Sequence, residues 1–257
     1  MSRLSSLPNA LQSAVDQGRA LKVIAGLTNF DTASVQRIAR AAAAGGADLL
    51  DLACDPELVR AVQAVAPELP LCVSAVDPEL FPAAIEAGAV MAEIGNFDAF
   101  YAQGRVFSAA EVLELTRRTR ELLPHVVLSV TVPHVLALDE QEQLAVELAE
   151  AGADLIQTEG GTSARPFSPG VLGLIEKAAP TLAAAHAISR ALRAADRKTP
   201  VLCASGLSSA TVPLALAAGA AGVGVGSAVN RLDDELAMIA VVRGLREAIG
   251  TTVTSLV

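Results

Sequence analysis

The chain has 257 residues, of which 52% are hydrophobic, 18% charged and 3% aromatic, and its formal net charge is −9. That length suits one α/β barrel domain, the composition calls for a core of Ala, Leu, Val and Ile as in parallel strands covered by helices, and the acidic balance excludes nucleic acid as a partner, since phosphate-backbone binding needs a basic stripe. No apolar run reaches the roughly 18 residues of a membrane helix before Gly or a polar residue interrupts it, and no charged stretch followed by a long apolar segment opens the chain, so a soluble cytoplasmic protein without secretory signal or membrane insertion is expected.

Residues 1–20 read as a short N-terminal segment, helical over Asn9 to Gly18, that packs on a barrel formed by residues 21–257. LKVIAGL (21–27) opens the barrel as strand one, and a helix follows over Thr32 to Ala44. The run AAAAGGADLLDLAC (41–54) ends that helix in a small-residue turn and feeds into strand two. The same passage recurs in IEAGAVMAEIG (85–95), ELAEAGADLIQTE (147–159) and LALAAGAAGVGVG (214–226), which supply strands four, six and eight. Gly provides the helix C-cap. Strands three, five and seven are entered through proline instead, in LPLCVS (69–74), LPHVVLSV (123–130) and TPVLCAS (199–205). Proline stops the preceding helix and favours extended backbone. Helices fill gaps over Glu57 to Val65, Ala109 to Leu122, Glu140 to Ala151, Pro180 to Ala195 and Asp234 to Ile249. Strand and helix alternating throughout imply a parallel sheet with right-handed crossovers, and eight such units close as a single (β/α)8 barrel. An open doubly wound sheet would carry a glycine-rich nucleotide turn after strand one, and GLTNFD (26–31) is not one. Cys54, Cys72 and Cys203 lie in apolar runs and read as small core residues.

Ligand chemistry in a barrel gathers at the C-terminal ends of its strands. Those ends carry Asn29, Ser74, Asn96, Thr131, Gln157 and, in the loop after strand six, Thr162 as candidate substrate contacts. Asp31, Asp55, Asp77 and Asp98 precede helical runs and read as helix caps. In CASGL (203–207) and GVGVGSAV (222–229), Ser205, Gly206, Gly226 and Ser227 stand where backbone N–H groups can approach an anion, and a short helix from Ala228 would aim its positive end at the same point. A phosphate site is expected there; the competing reading is that these glycines only permit tight turns.

Three polar residues fall inside even-numbered strands: Asp51, Glu93 and Gln157. If they point inward they form one layer beneath the ligand, and buried carboxylates need a cation or a shared proton. Lys22 in strand one is the nearest candidate, whereas Lys177 and Lys198 read as surface residues. Lys22, Asp51 and Glu93 are therefore candidates either for catalysis or for a structural ion pair. Glu159 ends strand six and His134 follows strand five, so both are candidates for moving a proton. His134 can equally serve loop backbone, and His125 and His186 read as structural. The segment EGGTSARPFSPG (159–170) is a glycine-hinged loop of lid-like length. No His or Cys spacing suggests a dedicated zinc site, while Mg2+ held by carboxylates and substrate phosphate stays open. The end of strand six has no lysine, which argues against a Schiff-base aldolase.

Long ordered blocks carry a resemblance to a known family. KVIAGLTNFD (22–31), DLACDPELV (51–59), CVSAVDPE (72–79), AEIGNFDAFY (92–101), LSVTVPHVLALDEQ (128–141), IQTEGGTS (156–163), PTLAAAHAISRA (180–191), VLCASGLSSAT and GVGVGSAVNRL together resemble the cyanobacterial and plastid family called hypothetical chloroplast open reading frame twenty-three, over about residues 20 to 250. The resemblance implies an aldolase-type barrel and a cyanobacterial cytoplasm or plastid stroma, and it brings no reaction or catalytic residues with it. The ends of strands seven and eight also resemble the phosphate grip of flavin and sugar-phosphate barrels. Three readings follow: an isomerase or lyase acting on a small phosphorylated metabolite by proton transfer, an FMN-dependent oxidoreductase, and a non-catalytic metabolite-binding or regulatory protein. Each is compatible with a homo-oligomer.

Overall fold

Residues 3–160 and 164–250 are described by a computed structural model in which eight parallel strands pair in chain order and close into a barrel. The strands are β1 (Ala20–Gly26), β2 (Leu49–Ala53), β3 (Leu71–Ala75), β4 (Met91–Ile94), β5 (Val127–Thr131), β6 (Leu155–Gln157), β7 (Val201–Ala204) and β8 (Gly222–Val225). Helix α1 (Asn9–Asp16) precedes the barrel, and the crossovers are α2 (Thr32–Gly45), α3 (Pro56–Gln63), α4 (Phe81–Glu86), α5 (Asp98–Tyr101) with α6 (Ala109–Leu122), α7 (Leu138–Glu150), α8 (Gly170–Ala194) and α9 (Val212–Ala217). After β8 come the one-turn α10 (Ser227–Asn230) and α11 (Glu235–Gly250), which packs on α2.

Alternation along each strand divides the core in two. Leu21, Val23, Leu50, Leu52, Leu71, Val73, Leu128 and Val130 belong to the cluster that joins the strands to their helices. Ala20, Leu49, Cys72, Met91, Val127, Leu155 and Leu202 form a separate inner floor, sealed from below by Leu7, Leu11 and Val15 of the N-terminal segment. Covering this floor removes apolar surface at the open bottom of the barrel from water, which is the reason the segment folds back. The three cysteines are buried and free.

Local signals explain most boundaries. Asp31, Asp55 and Asp77 accept hydrogen bonds from backbone N–H groups of the first turns of α2, α3 and the short 3-10 helix Pro78–Leu80, as expected of caps. Gly46, at φ 86, ends α2 in the left-handed conformation. The expected start of α8 at Pro180 is corrected: the helix begins at Gly170 and carries Pro180 inside it. Glu176 ties the entering segment onto the helix, its carboxylate accepting from the N–H groups of Phe167 and Ser168 and from the Ser168 hydroxyl. At 25 residues, α8 is long and apolar enough to cross a membrane by length and composition. In the barrel its second half packs Ala184, Ala185, Ile188 and Leu192 into the core, while its first half exposes Val171, Leu172, Leu174 and Ile175.

Candidate functional site

Above the apolar floor the barrel interior turns polar. Lys22 on β1 is 1% exposed and donates to Glu93 Oε2 on β4 at 2.6 Å. Gln157 on β6 donates through Nε2 to Glu93 Oε1 at 2.7 Å and to Thr131 Oγ1 at 3.2 Å. Asp51 on β2 accepts from the Ser74 hydroxyl. Burial opposes the charge on Lys22, but Glu93 and then Asp51 outweigh it and hold the ammonium above its ordinary range. Burial pushes the Asp51 carboxyl up to about 7 against the pull of Lys22. The layer expected from Asp51, Glu93, Gln157 and Lys22 is thus formed, with one cation among two carboxylates.

Asn96 is the upper boundary of this layer. Its amide donates to Asp51 Oδ2 at 3.2 Å and to Glu93 Oε1 at 3.4 Å, while the residue also lines the pocket above. Its backbone is left-handed, at φ 60. The preceding Gly95 lies against Thr131, where a Cβ would overlap the Thr131 hydroxyl. Ser205, at φ 80, is the other pocket residue with a positive φ outside glycine. Backbone held in such sparsely populated regions concentrates at binding sites.

A pocket of about 430 Å3 opens at the C-terminal mouth of the barrel. One side is formed by Ser205 and Gly206 after β7 and by Gly226 and Ser227 after β8. Lys177 of α8 and Arg231 after α10 reach the same pocket, and neither has an ion-pair partner among the described residues. The surface position expected for Lys177 is corrected here. Because α8 starts at Gly170 and not at Pro180, position 177 is helical and half-buried at the mouth instead of on a distant loop. Lys198 is exposed, as expected.

Asp98, after β4, and Glu159, after β6, also line the pocket. Glu159 Oε1 accepts from the Tyr101 hydroxyl and, at 3.1 Å, from the backbone N–H of His134, and it lies 3.1 Å from His134 Nδ1. Its other oxygen, Oε2, is buried without a hydrogen-bond partner among the described residues. The bond to Glu159 raises the His134 pKa above its ordinary value against the effect of burial. Burial, and then Glu159, push the Tyr101 phenol far up, so that it stays a donor. His134 Nδ1 is also 3.4 Å from Asp98 Oδ1. The capping role expected for Asp98 is corrected: Phe97 is the N-cap of α5, and Asp98, already helical, faces His134.

Of the expected substrate contacts, Asn96 lines the pocket. Ser74, Thr131 and Gln157 are bonded within the layer beneath it. Asn29 holds its own loop, accepting from the Asp31 N–H at 3.2 Å, while its neighbour Thr28 lines the pocket. Thr162 lies outside the described residues, as do Gly161 and Ser163 of the lid-like loop. Lys22, Asp51 and Glu93 sit below the pocket lining, and His134 stands behind Glu159. Sequence does not single out Tyr101, Lys177 or Arg231 as site residues; the Tyr101 block, AEIGNFDAFY, follows β4 and so offers the one available signal.

A family model described as a protein of unknown function (DUF561) matches residues 7–255. The chain is 41% identical over 236 residues to the uncharacterized protein ycf23 of Cyanophora paradoxa, covering 90% of this chain and 93% of that one. It is 36% identical over 246 residues to its counterpart in Porphyra purpurea, covering 96% and 91%. Among solved structures it is similar to 3-hexulose-6-phosphate synthase, with TM-score 0.60, 17% identity and coverage of 89% of this chain and 99% of that one. It is also similar to thiamine phosphate pyrophosphorylase from Pyrococcus furiosus, with TM-score 0.57, 18% identity and coverage of 91% and 96%. These structural likenesses establish an aldolase-type barrel.

Proposed function

The chain belongs to the DUF561 family of proteins of unknown function, and we propose that it binds a small phosphate-bearing metabolite at the mouth of the barrel and acts on it as an isomerase or lyase through proton transfer. Its relatives bear the name ycf23, so the family that the ordered sequence blocks resemble is the one it belongs to. The observation that carries the functional reading is the pairing of Lys177 and Arg231, without ion-pair partners among the described residues, with the Ser205–Gly206 and Gly226–Ser227 turns around one pocket. Two cations and close backbone approach suit a phosphate. On the wall of the same pocket, Oε1 of Glu159 is engaged by Tyr101 and His134, which leaves the buried Oε2 as the acceptor for a substrate proton. Two structural neighbours whose names contain a phosphorylated compound support the substrate class by analogy of fold.

Titration calorimetry of the full chain with inorganic phosphate and a panel of sugar phosphates tests the reading. One saturable site is expected, and the Lys177→Ala, Arg231→Ala double variant should bind at least roughly tenfold more weakly, since each charge-assisted bond contributes about 1.5–3 kcal/mol. Glu159→Gln should keep the binding and abolish turnover of the ligand. Absence of binding by every phosphate compound overturns the proposal, and a preparation that is yellow or takes up FMN replaces it with the flavin reading.

A further inference from the structure

We propose that Asp98, His134 and Glu159 form a binding site for one divalent transition-metal ion at the pocket wall. The three side chains come from the segments that follow β4, β5 and β6, and their ligand atoms lie within 4.8 Å of one another. His134 Nδ1 faces both carboxylates, at 3.1 Å from Glu159 Oε1 and 3.4 Å from Asp98 Oδ1. That nitrogen can carry a single hydrogen, and it faces an oxygen of each carboxylate. A divalent cation in place of that proton bonds to all three groups at once.

A second observation points the same way. Glu159 is 4% exposed, and its Oε2 is buried with no hydrogen-bond partner among the described residues. A buried, half-satisfied carboxylate is costly unless a cation compensates it, and the cluster brings two carboxylates to one imidazole. Asp98 and Glu159 both line the pocket, so an ion held there has protein on one side and the ligand space on the other. Three protein ligands with open positions are the pattern of sites that meet a substrate. One imidazole nitrogen with two carboxylates favours Mn2+, Co2+ or Zn2+ over Ca2+. The site uses different strands from the anion grip and stands independently of it; only the expectation that an oxygen of the metabolite completes the metal shell rests on the proposed function. Because Glu159 is also the proton acceptor of that function, the ion and a substrate proton compete for the same carboxylate.

The test uses the full chain stripped with a chelator and titrated with Co2+, followed by visible absorption and calorimetry. One equivalent should bind with a ligand-field band. Asp98→Asn and His134→Gln should each lose that band and bind at least roughly tenfold more weakly, the scale on which even outer-shell partners of metal sites act, with an unchanged far-ultraviolet circular dichroism spectrum. No stoichiometric binding by the native chain overturns the inference, as does undiminished binding in either folded variant, which would assign the ion to other carboxylates. Phosphate affinity of the stripped protein is measured separately, so failure of the metal site leaves the anion reading intact.

Discussion

Lys22 and Glu93 are each within 1% of full burial and are joined at 2.6 Å, so their pairing is a condition of folding the barrel interior. Replacing Lys22 by Met leaves Glu93 without its cation, and a cost of about 3–5 kcal/mol is expected in denaturant unfolding, with a smaller cost when Glu93→Gln is added. Asp51 gives a pH signature. Its carboxyl is pushed from 3.8 up to about 7 by folding, so the native state binds that proton more tightly than the unfolded chain. Its contribution to stability is therefore greatest below pH 3.8, declines as pH rises to about 7, and is flat above. The thermal midpoint of Asp51→Asn should fall less than that of the parent chain over this window; an identical slope in both would remove Asp51 as the cause. That Asp51 and Glu93 share a layer is legible from their positions in even strands, with Lys22 of β1 as the nearest cation. Their distance from the pocket is not, because strand periodicity gives the facing of a side chain and not its depth below the rim.

The turn after β4 is the element that joins layer and pocket. Gly95, at φ 150, brings its backbone onto Thr131, and Asn96 follows in the left-handed region. Gly95→Ala forces a Cβ into the Thr131 hydroxyl, and an overpacking cost of about 1–3 kcal/mol is expected in thermal or denaturant unfolding. Gly244→Ala is the control, since a Cβ there meets nothing within 4 Å and the site is helical; it should be neutral or slightly stabilising. Helix caps at Asp31, Asp55 and Asp77 are legible because an Asp just before a helical run has a local partner. Asp98 carries the same local signal, yet its partner is His134, distant in sequence and visible only once β4 and β5 lie side by side. Helix α8 departs from its expected start for a related reason. Pro180 removes one backbone donor, but the turns before it persist, with Glu176 tying Phe167 and Ser168 onto them.

At the scale of the whole molecule, the alternating entry into strands through glycine or proline is sufficient to indicate eight parallel units closed in chain order. The apolar floor beneath Lys22 and the Asn96 amide above it have a practical consequence. The chain contains three lysines, and only Lys22 is enclosed, at 1% exposure. An acetylating reagent will modify Lys177 and Lys198 while the protein is native but reach Lys22 only when the barrel opens. Peptide mapping after timed exposure should therefore show two fast sites and one slow one, and the slow one should accelerate with denaturant. Acetylation of Lys22 as fast as the others would mean the interior is open to solvent. Otherwise the single enclosed amine serves as a clock for the opening of the barrel.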